Sequence, residues 1–248
     1  MTPMAVNEII PCPVCAGDSV TAMQLPAYET RSAMADAMGV GAATAPPVPD
    51  YDLRRCGQCG LEFANPMLEP GEPLYAWLVE SGLCYPESRW EWDACLADLK
   101  ASVRRRQSIR LLDVGCGGGR FLRRAMQQHG IRAIGIDLNR DVVAECRRQG
   151  LDAWPGTLPE WQRQCEDRFD AICLWHVVEH VADPVATLTC ARSMLGEGGA
   201  LYFSVPLTPM SYEGAWVDPF NLPPHHLTRW NINALRVLAD RLAMSVEL

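Results

Sequence analysis

No apolar stretch in this chain is long enough to cross a bilayer, so a helical membrane protein is not expected. Residues 1–10 lack both a basic start and a long apolar run, so no secretory leader is expected either. Basic residues are not in surplus: 22 Lys and Arg stand against 30 Asp and Glu, a net charge of -8. An acidic surface repels phosphate backbones, which disfavours nucleic acid as the main partner. The short runs Arg104–Arg106, Arg123–Arg124 and Arg147–Arg148 read as solvated helix faces. Internal repeats are absent. What the chain does have is thiol: eleven cysteines in 248 residues. The expected location is the cytoplasm, where an oxidised framework does not persist, so some of these thiols need another purpose.

The texture changes along the chain. Residues 1 to about 70 are rich in Pro, Cys, Ala and Met with little periodicity, and Met34–Pro49 reads as a loop or mobile insertion. Residues 71–105 look helical and carry Tyr75, Trp77, Tyr85, Trp90 and Trp92. From Ser108 strands and helices alternate, which predicts an α/β fold: a parallel sheet with helices on both faces. Strands are predicted at Ile109–Val114, Ala133–Asp137, Phe169–Trp175 and Ala200–Val205, with a short one beginning at Ala153 and a turn at Gly196–Gly199. Helices are predicted at Arg120–His129, Asp141–Gln149, Pro184–Leu195 and Asn231–Ala243, and Met244–Leu248 looks like the start of a further strand. The division expected is a small head (1–70, with a flexible insertion at about 30–50), a helical linker or lid (71–105) and a cofactor-binding domain (106–248).

Cys12-Pro-Val-Cys15 and Cys56-Gly-Gln-Cys59 are two C-x-x-C units. Each can wrap one side of a metal ion, and together they complete a tetrahedral thiolate site. Thiolate softness favours zinc, and four thiolates leave no open position, so the role predicted is structural. The other cysteines read as buried or incidental.

Asp113-Val114-Gly115-Cys116-Gly117-Gly118-Gly119 follows a predicted strand and opens a predicted helix. Glycines let the backbone turn sharply beside a ligand, and the helix start aims its N–H groups into the turn. Asp137 falls at the tip of the next strand, where a carboxylate can accept both hydroxyls of a ribose. The spacing G-x-G-x-G differs from the G-x-G-x-x-G of dinucleotide sites. An acid just before the glycines would repel a pyrophosphate and attract an ammonium.

With these residues the chain resembles the class I S-adenosylmethionine-dependent methyltransferases. The loop matches that family's first motif and Gly135–Asn139 its second. Phe169–Pro184 matches the motif at its fourth strand, and Gly196–Pro206 the turn and fifth strand; the likeness spans about residues 108–205. It implies a Rossmann-like sheet and S-adenosylmethionine as cofactor. Asp113, Gly115 and Gly117 would contact the methionine part, with Cys116 and Gly119 in the same loop. Asp137 would hold the ribose, Leu138 would pack on the adenine and Leu158 edge it. Trp175 and His176 would line the methyl-donor side. Cys116 reads as a small loop residue rather than a nucleophile, and Glu179 and His180 as a cap that orients the following helix. The cysteine-bearing head is similar to the zinc ribbon of a bacterial subgroup that includes sugar C-methyltransferases.

After the fifth strand comes Pro223-Pro224-His225-His226-Leu227. Two prolines fix the backbone before two side chains that can take a proton near neutral pH. The sugar C-methyltransferases carry His-Glu-His-Leu here, which implies His226 as the general base. In this chain His225 replaces the glutamate and Pro224 the first histidine. Tyr85 is the counterpart of that group's acceptor-site tyrosine. The expected function is methyl transfer to a small-molecule acceptor. Two rival readings are an RNA methyltransferase that uses the ribbon for RNA, and a silent cofactor-binding partner protein. A standard sheet of this class has two more strands after the last helix, so a truncated longer protein is expected.

Overall fold

The computed structural model describes residues 10–82 and 86–248, and Tyr85 lies outside them. Two compact units are present: one gathers 10–82, Glu179–Val185 and Pro206–Leu248, the other 86–178 and Ala186–Val205.

The first unit begins with strand β1 (Ser19–Leu25), helix α1 (Ala27–Met38), strands β2 (Tyr51–Cys56) and β3 (Glu62–Asn65), and helix α2 (Glu72–Glu80). The strands form an antiparallel meander, and the turn between β2 and β3 holds the second C-x-x-C. The expectation of a loop at Met34–Pro49 is corrected here. Its first part belongs to α1, which ends at Gly39 in the left-handed conformation. Met34 and Ala35 are buried against Leu74, Trp77 and Leu78. Arg31 donates to the Ala45 carbonyl (2.6 Å), and the Trp77 indole to Thr44 Oγ1 (3.1 Å), so the segment after the helix is tied down too. Alanine is the best helix former. A run so rich in it has almost no amphipathic pattern to read.

The second unit holds the alternating elements. They are α3 (Trp90–Arg106), β4 (Ile109–Val114), α4 (Arg120–Met126), β5 (Ile131–Asp137), α5 (Arg140–Arg148), β6 (Ala153–Pro155), α6 (Leu158–Gln164), β7 (Phe169–Trp175), α7 (Pro184–Ser193) and β8 (Leu195–Ser204). The sheet is wholly parallel, in the order β6-β5-β4-β7-β8. The chain order reverses beside β4, which puts the ligand crevice of such a sheet outside the carboxyl end of that strand. Strands covered on both faces read as continuous apolar runs. Leu111, Leu112, Ala171, Ile172 and Cys173 are accordingly buried. The predicted turn at Gly196–Gly199 is instead an irregularity inside β8: Leu195 pairs with Phe169 and Ala200 with Ala171. Local caps define two helices: Asn139 accepts from the Asp141 and Val142 N–H groups, and Thr157 with Glu160 makes a capping box.

The chain then returns to the first unit. Strand β9 (Thr228–Arg229) pairs antiparallel with β3, giving the order β1-β2-β3-β9, and helix α8 (Ile232–Arg241) follows, capped by Asn231. Residues 244–248 carry no strand, contrary to expectation. A short apolar run becomes a strand only where a neighbour takes its backbone groups. Met244 N–H bonds back to the Ala239 carbonyl at the helix end (3.0 Å).

Candidate cofactor loop, thiolate site and histidine cluster

The turn after β4 is held in the left-handed region, at φ 70° for Gly115, 49° for Gly117 and 70° for Gly119. A Cβ on Gly115 would meet Val177 at 2.7 Å, whereas Gly117 and Gly118 face open space. That open face is where a ligand could approach the backbone. Asp137 borders it: its carboxylate accepts from Gly117 N–H (2.9 Å) and Asn139 N–H (2.9 Å). Each oxygen keeps a second lone pair for a ligand hydroxyl. Leu138 beside it is 67% exposed. Leu158, the first residue of α6, is buried instead.

Asp113 is 1% exposed, and its Oδ2 has no hydrogen-bond partner among the described residues. Burial first and the Asp137 charge second push its carboxyl well above the usual carboxylate range. A buried carboxylate of this kind is stabilised by a cation placed against it. Trp175, at the end of β7, packs edge-on against Phe121 (5.1 Å between ring centroids), and its indole N–H is likewise buried without a partner. His176 has φ 54°; its Nε2 lies 2.8 Å from an Arg89 Nη1 and 3.3 Å from Glu91 Oε1. Arg89 and Glu91 give no motif to find in the sequence, since only the fold brings them to His176. An open glycine face, a ribose-type acid and an orphaned buried acid fit S-adenosylmethionine, which carries a ribose and an amino-acid ammonium. Cys116 is buried, and burial, ahead of the charges of Asp113 and Asp137, pushes its thiol far up. It is a packing residue, not a nucleophile.

The four head cysteines converge. Cys12 Sγ lies 3.6 Å from Cys59 Sγ, and Cys15 Sγ 3.4 Å from Cys56 Sγ. Backbone N–H groups point at the sulfurs: Val14 at Cys12 (3.4 Å), and Gln58 (3.4 Å) and Cys59 (3.5 Å) at Cys56. Burial pushes the Cys12 thiol up to about 11. Burial acts the same way on Cys56, but the Cys59 and Gln58 N–H groups together with the Cys15 and Cys59 thiols outweigh it and bring that thiol down to about 7. Four mutually close sulfurs on paired N–H-lined turns fit a tetrahedral zinc ion with bonds of about 2.3 Å.

His225 and His226 do come together, and the third member of their cluster is His180. Sequence reasoning assigned His180 to a helix cap. Its Nδ1 donates instead to the His225 carbonyl (2.6 Å), while Leu227 N–H bonds the Glu179 carbonyl (2.8 Å). His225 Nδ1 lies 2.8 Å from the Phe220 carbonyl, and His226 Nδ1 3.0 Å from Asn221 Oδ1. Burial, then the neighbouring His180, lowers His225 to about 3, so it is a neutral imidazole. The tyrosine at this cluster is Tyr75, with its ring centroid 6.0 Å from His180 and 6.3 Å from His225.

A family model described as a methyltransferase domain matches residues 91–242. The ubiquinone biosynthesis O-methyltransferase of Cereibacter sphaeroides is 38% identical over 103 residues, 40% of this chain and 41% of that protein. That of Aeromonas salmonicida is 29% identical over 110 residues, 42% of this chain and 46% of that protein. The matched region thus spans under half the length of these curated relatives. Among solved structures, the plantazolicin methyltransferase BamL, crystallised with a triazolic desmethylPZN analog and SAH, has a TM-score of 0.52 at 15% identity, covering 61% of each chain. At that identity the likeness is one of fold.

Proposed function

The chain belongs to the methyltransferase-domain family, and on that premise we propose that it transfers a methyl group from S-adenosylmethionine to a small-molecule acceptor. The observation that carries this is the glycine turn with an open face at Gly117, bordered by the tethered Asp137 and the orphaned Asp113. On this reading the Gly115, Cys116, Gly117 and Gly119 backbone and the Asp113 carboxylate hold the methionine part. Asp137 holds the ribose, Leu138 and Leu158 bound the adenine, and Trp175 and His176 border the methyl-donor side. The cofactor supplies an electrophilic methyl on a sulfonium. The chain orients it and the acceptor, which accounts for much of the acceleration in such a transfer.

His226 takes the acceptor's proton. Its Nδ1 proton is directed at Asn221 Oδ1, so the basic lone pair is on Nε2. His225, His180 and Tyr75 position it, and Tyr85 is a further acceptor-side residue in this proposal. Similarity to the ubiquinone biosynthesis O-methyltransferases and the acidic net charge support a small molecule over RNA. A sugar or natural-product intermediate is the class proposed. Zinc at Cys12, Cys15, Cys56 and Cys59 is structural, which suits a reducing cytoplasm. Calorimetric titration with S-adenosylhomocysteine tests the cofactor assignment: saturable one-site binding is expected, and no binding at millimolar ligand would overturn it.

A further inference from the structure

The histidine cluster carries more than proton transfer requires. One ring nitrogen from each of His180, His225 and His226 lies within 4.8 Å of those from the other two. Each Nδ1 faces an oxygen acceptor: the His225 carbonyl, the Phe220 carbonyl and Asn221 Oδ1. A proton on Nδ1 puts the imidazole lone pair on Nε2 in all three rings. The last of these bonds is itself braced. Asn221 Nδ2 donates to Glu213 Oε1 (3.0 Å), which fixes Oδ1 as the acceptor, and Glu213 is paired with Arg229 (2.7 Å). Metal-bound histidines are held by this kind of outer bond from the second ring nitrogen to an oxygen, which sets tautomer and ring orientation. A cluster that only packs needs no common tautomer.

We infer that His180, His225 and His226 form a second metal site, for one divalent ion of the zinc, iron or cobalt kind, separate from the thiolate site. Three imidazole nitrogen donors suit ions of intermediate softness and not magnesium or calcium, which take oxygen. The His225 and His226 rings are stacked, 19° between planes, so one of them turns out of the stack when both lone pairs meet one ion at bonds of about 2 Å. Three protein ligands leave a coordination position open, where an oxygen donor of a substrate can bind. An ion engages the same lone pair that proton abstraction by His226 uses, so the base role belongs to the ion-free protein and a bound ion takes its place.

Cobalt(II) is the probe, titrated into metal-stripped full-length protein and followed by visible and near-ultraviolet absorption. Two equivalents are expected: one with the sulfur-to-cobalt charge-transfer band of the thiolate site, one without it. His180→Ala and His226→Ala should each weaken the second equivalent by about tenfold or more while leaving the thiolate band intact. Uptake of a single equivalent by the wild type overturns the site. So does a second equivalent that persists undiminished in both variants. Where an alanine variant does not show wild-type thermal unfolding, His180→Gln replaces it. S-adenosylhomocysteine binding, measured on the same samples, reports on the methyl-transfer reading separately, so loss of one does not imply loss of the other.

Discussion

At the scale of single residues, Asp113 and Asp137 are neighbouring acids with opposite environments. Asp137 accepts two backbone N–H groups, while Asp113 is sealed in with an orphaned oxygen. The folded state raises the Asp113 pKa, so folding favours its protonated form. The associated stability is fully present below the unfolded pKa of about 3.9, and it is lost as pH rises through the raised folded value. Asn is close to a protonated Asp in shape and does not titrate. Asp113→Asn should therefore raise the melting temperature of the cofactor-free protein at pH 8 and flatten its pH dependence. The same change should weaken S-adenosylmethionine binding, because the charge facing the ammonium is gone. Thermal melts from pH 5 to 8 check the first part; an unchanged slope would count against the buried-acid account. Asp137→Ala removes an acceptor for the ribose and for Gly117 N–H. A hydrogen bond to a charged group contributes about 1.5–3 kcal/mol, so roughly ten- to a hundredfold weaker S-adenosylhomocysteine binding is expected by calorimetry.

At the scale of elements, the thiolate turns and β9 hold one sheet together from two ends. Cys56 closes β2, and β9 pairs with β3. Arg229 on β9 bonds Glu62 on β3 (2.5 Å) and also Glu213, with all three side chains largely buried. Removing the cation takes from largely buried Glu213 its Arg229 pair and leaves Glu62 with Arg55, and breaking a buried pair typically costs about 3–5 kcal/mol. Arg229→Met should destabilise by that order in urea unfolding, and adding Glu213→Gln should recover part of it. Cys56→Ser should abolish zinc at the thiolate site and lower the melting temperature, since ligand binding of this kind is folding free energy. Zinc content by mass spectrometry together with a melt checks it; a zinc-free variant with an unchanged melt would refute a structural role. These elements were unequally legible in the sequence. The β4 strand, its glycine turn and Asp137 are local patterns, visible because one short segment contains the whole signal. The C-x-x-C units are equally local. Helix α1 was hidden by small residues with no apolar stripe, and the irregular start of β8 by glycines that read as a turn. His180 was hidden for another reason: it meets His225 from 45 positions away in the sequence, a relation with no periodic trace.

At the scale of the whole molecule, the candidate groups fall in two compact units. The glycine loop, Asp113, Asp137 and His176 belong to one, and the four thiols and three histidines to the other. Changes that share no partners generally act additively. His226→Ala should therefore leave S-adenosylhomocysteine affinity within about twofold of wild type while abolishing methyl transfer to the true acceptor. Asp137→Ala should do the reverse at the cofactor and leave metal uptake at both metal sites untouched. A double-mutant cycle read by cofactor affinity should show coupling below about 0.5 kcal/mol between these positions. Metal removal then separates the two uses of His226. A free imidazole base gives a rate that stripping metal leaves unchanged. A liganded His226 gives a rate that collapses on metal removal and returns when the ion is restored, with cofactor affinity constant throughout. Full turnover by His226→Ala on the physiological acceptor would remove both uses at once, and would leave orientation by the cofactor unit as the whole of the catalysis.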